Sequence, residues 1–342
     1  MSELRKVAIA CQGGGSHAAF AAGVLDELLS PARRGRFRLV GLSGTSGGAM
    51  CAALVWRGLV ASGADEGQRR LLQFWRDLAV HDPVDAIANF WNVWAASAPV
   101  KVDVSPYLYE PVAEARLRAL LSTHLELESL TRDPASRARP ALLIGATDVL
   151  NGDRVIFPGE CLSYDDLIAS AAVPPLFRAV HANGHLYWDG LFTTNPPVRE
   201  FTDLEEKPNE LWVIQINPQH RSREPRGTRE IIDRSNELAG NLSLGQELHF
   251  LQKINELRQA HPSLGERYGH IQIRVVALGD QALDFPSKYD RRGALIEHLI
   301  EMGRECAAAF FTEESLWPRA CSIPTRSVRA ERPHRQVPGA PA

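Results

Sequence analysis

The sequence predicts an α/β fold with a mainly parallel central sheet flanked by helices. Three observations predict it. The first sixty residues run strand, glycine loop, helix, then the same again. Apolar runs of strand length recur further down the chain. The chain is also long enough, at 342 residues with 44% hydrophobic, to build a core without covalent staples. Alternating strand and helix units imply parallel strands covered by helices.

The elements follow in order. Lys6 to Cys11 (KVAIAC) is short, apolar and stopped by glycines, which reads as a buried strand. Ala18 to Leu29 carries apolar residues at helical spacing and is closed by Pro31. Phe37 to Leu42 is a second strand, and Gly47 to Val60 a helix of small residues. Gln68 to Leu78 reads as a helix. Ala141 to Asp148 is a strand, joined through Asn151-Gly152 to Arg154–Phe157 as a hairpin. Asp165 to Ala172 is a short helix that ends before Pro174-Pro175. Asn183-Gly184 marks a second hairpin before His185–Trp188. Leu211 to Ile216 is a buried strand, Arg229 to Gln259 a long helix, His270 to Leu278 a strand and Arg292 to Phe311 a last helix. This divides the chain into a catalytic region at 5–217, a helical extension packed on it at 218–316, and a tail at 317–342 whose Pro, Arg, Ser and Ala content predicts disorder.

Composition excludes several classes. A net charge of −3 gives no electrostatic basis for binding nucleic acid. Five widely spaced cysteines form neither a disulfide framework nor a zinc site, and no metal or cofactor is implied. No stretch reaches the roughly 20 apolar residues of a spanning helix. The N-terminus has no secretory hydrophobic region, which reads as mature cytosolic sequence.

Two glycine motifs carry the chemistry. Gly44-Thr45-Ser46-Gly47-Gly48 fits G-x-S-x-G between a strand and a helix, the context of a nucleophile elbow. The alternative is a glycine-rich turn with Ser46 as a helix N-cap. Gly13-Gly14-Gly15 closes the first strand and opens the first helix, where bare amides form an anion site suited to an oxyanion. Gly13, Gly15 and Ala18 also fit a dinucleotide fingerprint, but no carboxylate follows the second strand to hold a ribose. A P-loop lacks its Gly-Lys-Ser/Thr ending. Asp189-Gly190 ends a strand; alone it reads as a turn, but a serine nucleophile requires a base within reach. Among eleven histidines none has a distinctive setting.

These residues together resemble the patatin-like phospholipase family. Gly13-Gly14-Gly15 is similar to its oxyanion motif, Gly44–Gly48 to its nucleophile motif, Ala169-Ser170-Ala171-Ala172-Val173-Pro174 to its Ala/Ser-rich segment, and Asp189-Gly190 to its Asp-Gly motif. The resemblance covers roughly residues 5 to 217. It implies a patatin-like Ser-Asp hydrolase fold, with Ser46 and Asp189 as a catalytic dyad and no histidine. The implied substrate is a phospholipid or other lipid or acyl ester, met in the cytoplasm, with peripheral contact at the inner face of the membrane. An aspartate base implies activity persisting well below the imidazole range of about 6.5. An acyltransferase or thioesterase using the same serine, or a non-catalytic lipid-binding protein, fits the same residues. The sequence leaves the oligomeric state open.

Two departures stand out. Where the family has Arg or Lys and then Gly, this chain has His17 and Ala18, with His17 read as an exposed first-turn residue beside the substrate. Leu191 stands where a small residue is common, followed by Phe192. Finally, Ile87, Phe90, Trp91 and Trp94 recur at i, i+3, i+4, i+7. The stripe reads as a core-facing helix or, alternatively, as a lid or interfacial helix in which Trp91 and Trp94 meet lipid. The tail arginines Arg319, Arg326, Arg329, Arg332 and Arg335 are read as a solvated end.

Overall fold

The computed structural model describes residues 4–97, 105–108, 111–130, 140–174, 176–279 and 283–312. The expected disorder of the tail lies outside the described residues. The centre is an eight-stranded sheet. Its parallel body runs β3 (Ala141–Asp148), β2 (Arg38–Gly44), β1 (Lys6–Cys11), β7 (Glu210–Gln215), β8 (Gln272–Ala277). Beyond the end of β2, the last residues of β3 pair antiparallel with β6 (His185–Asp189), which in turn pairs with β5 (Val180–Ala182). β4 (Arg154–Pro158) folds back antiparallel on β3.

Alternation along β1 separates the two faces. Val7, Ile9 and Cys11 enter the large core under the helices, while Ala8 and Ala10 enter a smaller one with Val213, Leu244 and Leu251. The large core is closed by α1 (Ala19–Leu28), α2 (Gly47–Ala61), α3 (Ala64–Leu78) and α5 (Val112–Leu125). α6 (Tyr164–Ser170) starts on a capping box in which Ser163 and Asp166 satisfy each other's amides. α7 (Thr228–Ala260) covers the smaller core.

The segment after residue 217 is woven into this frame. β8 lengthens the parallel body beside β7, and α8 (Gly293–Thr312) packs along α1. That packing is backbone-close: a Cβ on Gly23 would lie 1.8 Å from the Ile300 carbonyl oxygen.

The aromatic stripe lies on α4 (Pro83–Ser97) and does not face the core. Ile87, Phe90, Trp91 and Trp94 are all exposed, Trp91 to 55%. Among the described side chains of this helix, Asp85 and Asn89 are buried. The core-facing reading of the stripe is therefore overturned.

Candidate active site

β1 and β2 are adjacent parallel strands, so the loops leaving their C-terminal ends meet, where open α/β sheets place their ligands. Ser46 sits between β2 and α2 with φ 57° and ψ −128°, a region that side chains other than glycine rarely occupy. Ser46 occupies the N-cap position of α2, but its side chain makes no capping hydrogen bond, so the hydroxyl is not spent on the cap as the alternative reading would have it. The strained turn is over-determined by neighbours. The Ser46 N–H reaches both the carbonyl (3.1 Å) and the hydroxyl (3.0 Å) of Ser170, and the Ser170 hydroxyl donates onward to the Gly145 carbonyl. The Thr45 hydroxyl donates to the Thr194 carbonyl at 2.7 Å. The Ala/Ser-rich segment thus serves as the clamp behind the elbow.

The glycine loop packs directly against that elbow. A Cβ on Gly13 would lie 2.6 Å from the Thr45 carbonyl oxygen and 2.9 Å from the Ser46 Cβ. Gly15 adopts φ +58°, and a Cβ there would lie 2.3 Å from the Lys288 carbonyl oxygen. The three amides are not equivalent. Gly13 N–H donates to Asn195 Oδ1 at 2.7 Å and is withdrawn from any ligand, which corrects the expectation of three free donors. The amides of Gly14 and Gly15 meet no acceptor among the described residues.

Asp189 ends β6, and its N–H bonds the Ala172 carbonyl at 3.0 Å, tying it to the segment that clamps Ser46. Its side chain is fully buried. Oδ1 accepts the Leu191 N–H at 2.8 Å, the turn role anticipated for an Asp-Gly pair. Oδ2 is buried with no partner at full hydrogen-bond geometry among the described residues. Burial pushes the carboxyl up to about 7, against the opposing pull of the Ser46 hydroxyl and the Leu191 amide. A carboxyl at that pKa is largely protonated well below the imidazole range, unlike the free aspartate assumed from the sequence. Ser46, Asp189 and the Gly13–Gly15 loop are therefore brought together. Phe192, downstream of Asp189, is exposed and tilted against Trp188.

His17 is buried, contrary to the expectation of an exposed first-turn residue. Its Nε2 lies 2.8 Å from the Ser287 hydroxyl. Burial, reinforced by the neighbouring Lys288 charge, holds the imidazole at about 3, so it is neutral near pH 7. Lys288 itself is half-buried, donates to Asn217 Oδ1 at 2.7 Å, and is lowered to about 8, chiefly by loss of solvent around its amine. Both line a small pocket with Ile216, Asp233 and Glu237. Trp91 and Trp94 belong to α4 and are exposed to solvent.

Sequence reading missed two residues that shape the site. Asn195 fixes Gly13 and is itself held by the Gly240 carbonyl and the Ser243 hydroxyl of α7. Burial, with the nearby Asp189 carboxylate adding to it, pushes the Tyr289 phenol up to about 12. Only the Asn-Pro step after the Asp-Gly motif hinted at the first; nothing local marks the second.

A family model described as patatin-like phospholipase matches residues 9–202, more than half of the chain. The chain belongs to the patatin-like phospholipase family. Comparison with curated proteins gave no match. Among solved structures, this family member is similar to VipD from Legionella pneumophila, at 12% identity and a TM-score of 0.42, with 91% of this chain and 67% of that chain covered. It is also similar to the type III effector protein ExoU, at 14% identity and a TM-score of 0.35, covering 90% of this chain and 53% of that one. The heterodimeric ExoU–SpcU complex of Pseudomonas aeruginosa gives 14% identity and a TM-score of 0.33, with 91% and 51% covered. The chain thus spans about half the length of the ExoU structures it matches. No helix among the described residues is long and apolar enough to cross a membrane.

Proposed function

We propose that this protein is a lipid acyl hydrolase in which Ser46 is the nucleophile, Asp189 the base, and the amides of Gly14 and Gly15 the oxyanion donors. The observation that carries this reading is the meeting of a strained serine with a fully buried carboxylate on which its hydroxyl acts. Asp189 takes the Ser46 proton as Oγ attacks the ester carbonyl carbon, and the carbonyl oxygen becomes the oxyanion. The ester C–O bond then breaks, and the leaving alcohol takes the proton back from Asp189. Water next gives its proton to Asp189 and attacks the acyl-serine; the acid departs and Ser46 regains its hydrogen. The loose Ser46–Asp189 contact is of the kind that tightens in a substrate complex. The proposed substrate class, a lipid carboxyl ester, is supported by the family match. The exposed aromatic residues Trp91 and Trp94 are assigned to contact with the lipid phase and not to the acyl pocket.

The test is direct. Ser46→Ala is expected to remove at least several kcal/mol of transition-state stabilisation, leaving turnover near background. It should also abolish labelling by a fluorophosphonate probe while the circular dichroism spectrum stays unchanged. Substantial turnover of short-chain esters by pure Ser46→Ala protein overturns the assignment. Transfer of the acyl group to an added alcohol in preference to water would mark the site as a transferase using the same serine.

A further inference from the structure

Helix α4 is built inside out. Its inward residues recur at i, i+4 and i+8: Asp85 and Asn89 are buried and Val93 half-buried. At about 100° per residue, Val84, Ile87, Trp91 and Trp94 fall on the opposite side. From Pro83 to Trp94 the exposed positions carry no charged side chain: Pro83, Val84, Ala86, Ile87, Ala88, Phe90, Trp91, Asn92 and Trp94. The helix's one acid in this stretch, Asp85, is turned inward and neutralised. Burial acts to raise its pKa, but Arg291 and Arg116 outweigh that and hold it at about 2. Asn89 completes the anchor, donating to Asp290 Oδ1 at 3.1 Å and accepting the Arg291 N–H at 2.8 Å.

A helix whose one charged group is paired inward, and whose outer face is aromatic and uncharged, is matched to an apolar medium. Protein–protein interfaces carry a polar rim; this face has only Asn92. Trp and Phe at this density suit the boundary between headgroups and hydrocarbon. The position of the helix points the same way. It is pinned to Asp290 and Arg291, in the stretch where the Lys288 carbonyl abuts Gly15, Ser287 meets His17, and Tyr289 senses Asp189. The inner side of α4 is therefore anchored to the segment that packs on the candidate active site, with the apolar face turned outward from that anchor.

We propose that the outward face of α4 inserts into the interfacial layer of a lipid bilayer and sets the mouth of the Ser46 site against it, a proposal that rests on the lipid-ester reading for its purpose but not for its test. Because the face carries no Lys or Arg, attachment is by apolar insertion and needs no anionic lipid.

The experiment measures flotation of full-length Ser46→Ala protein with phosphatidylcholine vesicles, so that binding is read without hydrolysis. The protein is expected to float with the vesicles, with little change between low and high salt. Ile87→Lys with Trp91→Lys is expected to lower the partition coefficient at least about tenfold, since each lysine replaces an apolar contact by a charge at the interface. Val84→Lys, at a position 78% exposed, gives the same readout with the least packing to disturb. A second measurement leaves the face apolar: brominated lipids should quench the Ser46→Ala protein, and Trp91→Phe with Trp94→Phe should bind equally well while losing most of that quenching. In the Ser46 protein, the Lys variants should lose more activity on vesicles than on a soluble ester by at least about tenfold. Failure of Ser46→Ala protein to float, equal flotation of the Lys variants, or a concentration-dependent dimer dissolved by Ile87→Lys would each overturn the proposal. Loss of hydrolysis without loss of flotation would count against the catalytic reading alone.

Discussion

Asp189 concentrates two opposing demands in one side chain. Its carboxyl is fully buried and its pKa is raised to about 7, chiefly by burial. The proposed mechanism needs the ionised form, so kcat/KM on a soluble ester should fall about tenfold per pH unit below pH 7. A pH–rate profile flat down to pH 5 would show that another group is the base. Stability carries the opposite sign. The folded-state pKa lies above the unfolded value of about 3.9, so the folded state binds the proton more tightly. Its contribution to stability is full below pH 4 and is lost as pH rises to about 7. Asp189→Asn removes that buried charge while keeping an acceptor for the Leu191 N–H. It is expected to lose most turnover and, at pH 8, to melt at least about 2 °C above the parent, a gain that vanishes near pH 4. Equal melting temperatures of the two proteins at pH 8 would mean that the carboxylate is stabilised by groups other than those described. The motif Asp-Gly was legible in the sequence, but the pKa was not. Burial depends on β3, β6 and the Ala/Ser-rich segment closing around the side chain, and the sign of the shift comes from that closure.

At the scale of elements, local motifs were readable and their long-range anchors were not. The Gly13–Gly15 loop and the Gly44–Gly48 elbow each announce themselves within five residues. Asn195, which takes the Gly13 amide, lies 182 residues away and is steered by α7. Nothing in the loop itself reveals that one of its three donors is already engaged. Asn195→Ala would leave a buried N–H unpaired and free the loop to shift relative to Ser46. Turnover is expected to fall roughly tenfold or more with KM little changed if the loop serves the oxyanion, as proposed, and not the ground state. Amide exchange at Gly13 should speed up in the same variant. Unaltered kcat with fast exchange at Gly13 would separate the anchor from catalysis. Helix α4 teaches the same lesson in reverse. Its periodicity was visible through Ile87, Phe90, Trp91 and Trp94, yet periodicity does not say which face is inside. The direction is set by Asp85 and Asn89, whose partners Asp290 and Arg291 lie about two hundred residues downstream. α5 went unread because its buried residues, Leu121, His124 and Leu125, crowd into one end.

On the scale of the whole molecule, the family match ends at residue 202, but the fold does not. β8 gives β7 its second neighbour, and without it the β7 edge would be unpaired. α8 covers α1 so closely that Gly23 and Gly303 approach each other's backbones, and its removal would expose Phe20, Val24 and other residues now inaccessible to solvent. α7 supplies Gly240 and Ser243 to Asn195, and Asn241 to Gln12, whose side-chain oxygen accepts the N–H groups of Ile216 and Asn217. The alternating strand and helix pattern of the first sixty residues made the sheet legible, and the later apolar strands could be counted; their order across the sheet could not, since parallel pairing leaves no local mark in the sequence. A chain cut after residue 217 therefore loses an edge strand, a helical layer and the hydrogen bonds that seat Asn195 and Gln12 behind the glycine loop. Such a fragment is expected to be insoluble or to bind hydrophobic dye without a cooperative melting transition, and to show no fluorophosphonate labelling at Ser46. Co-expression with residues 218–312 as a separate chain should restore solubility if the two parts recognise each other as they do in the intact protein. A soluble, cooperatively melting 1–217 fragment that still labels at Ser46 would show that the later segment is an addition to a self-sufficient catalytic unit.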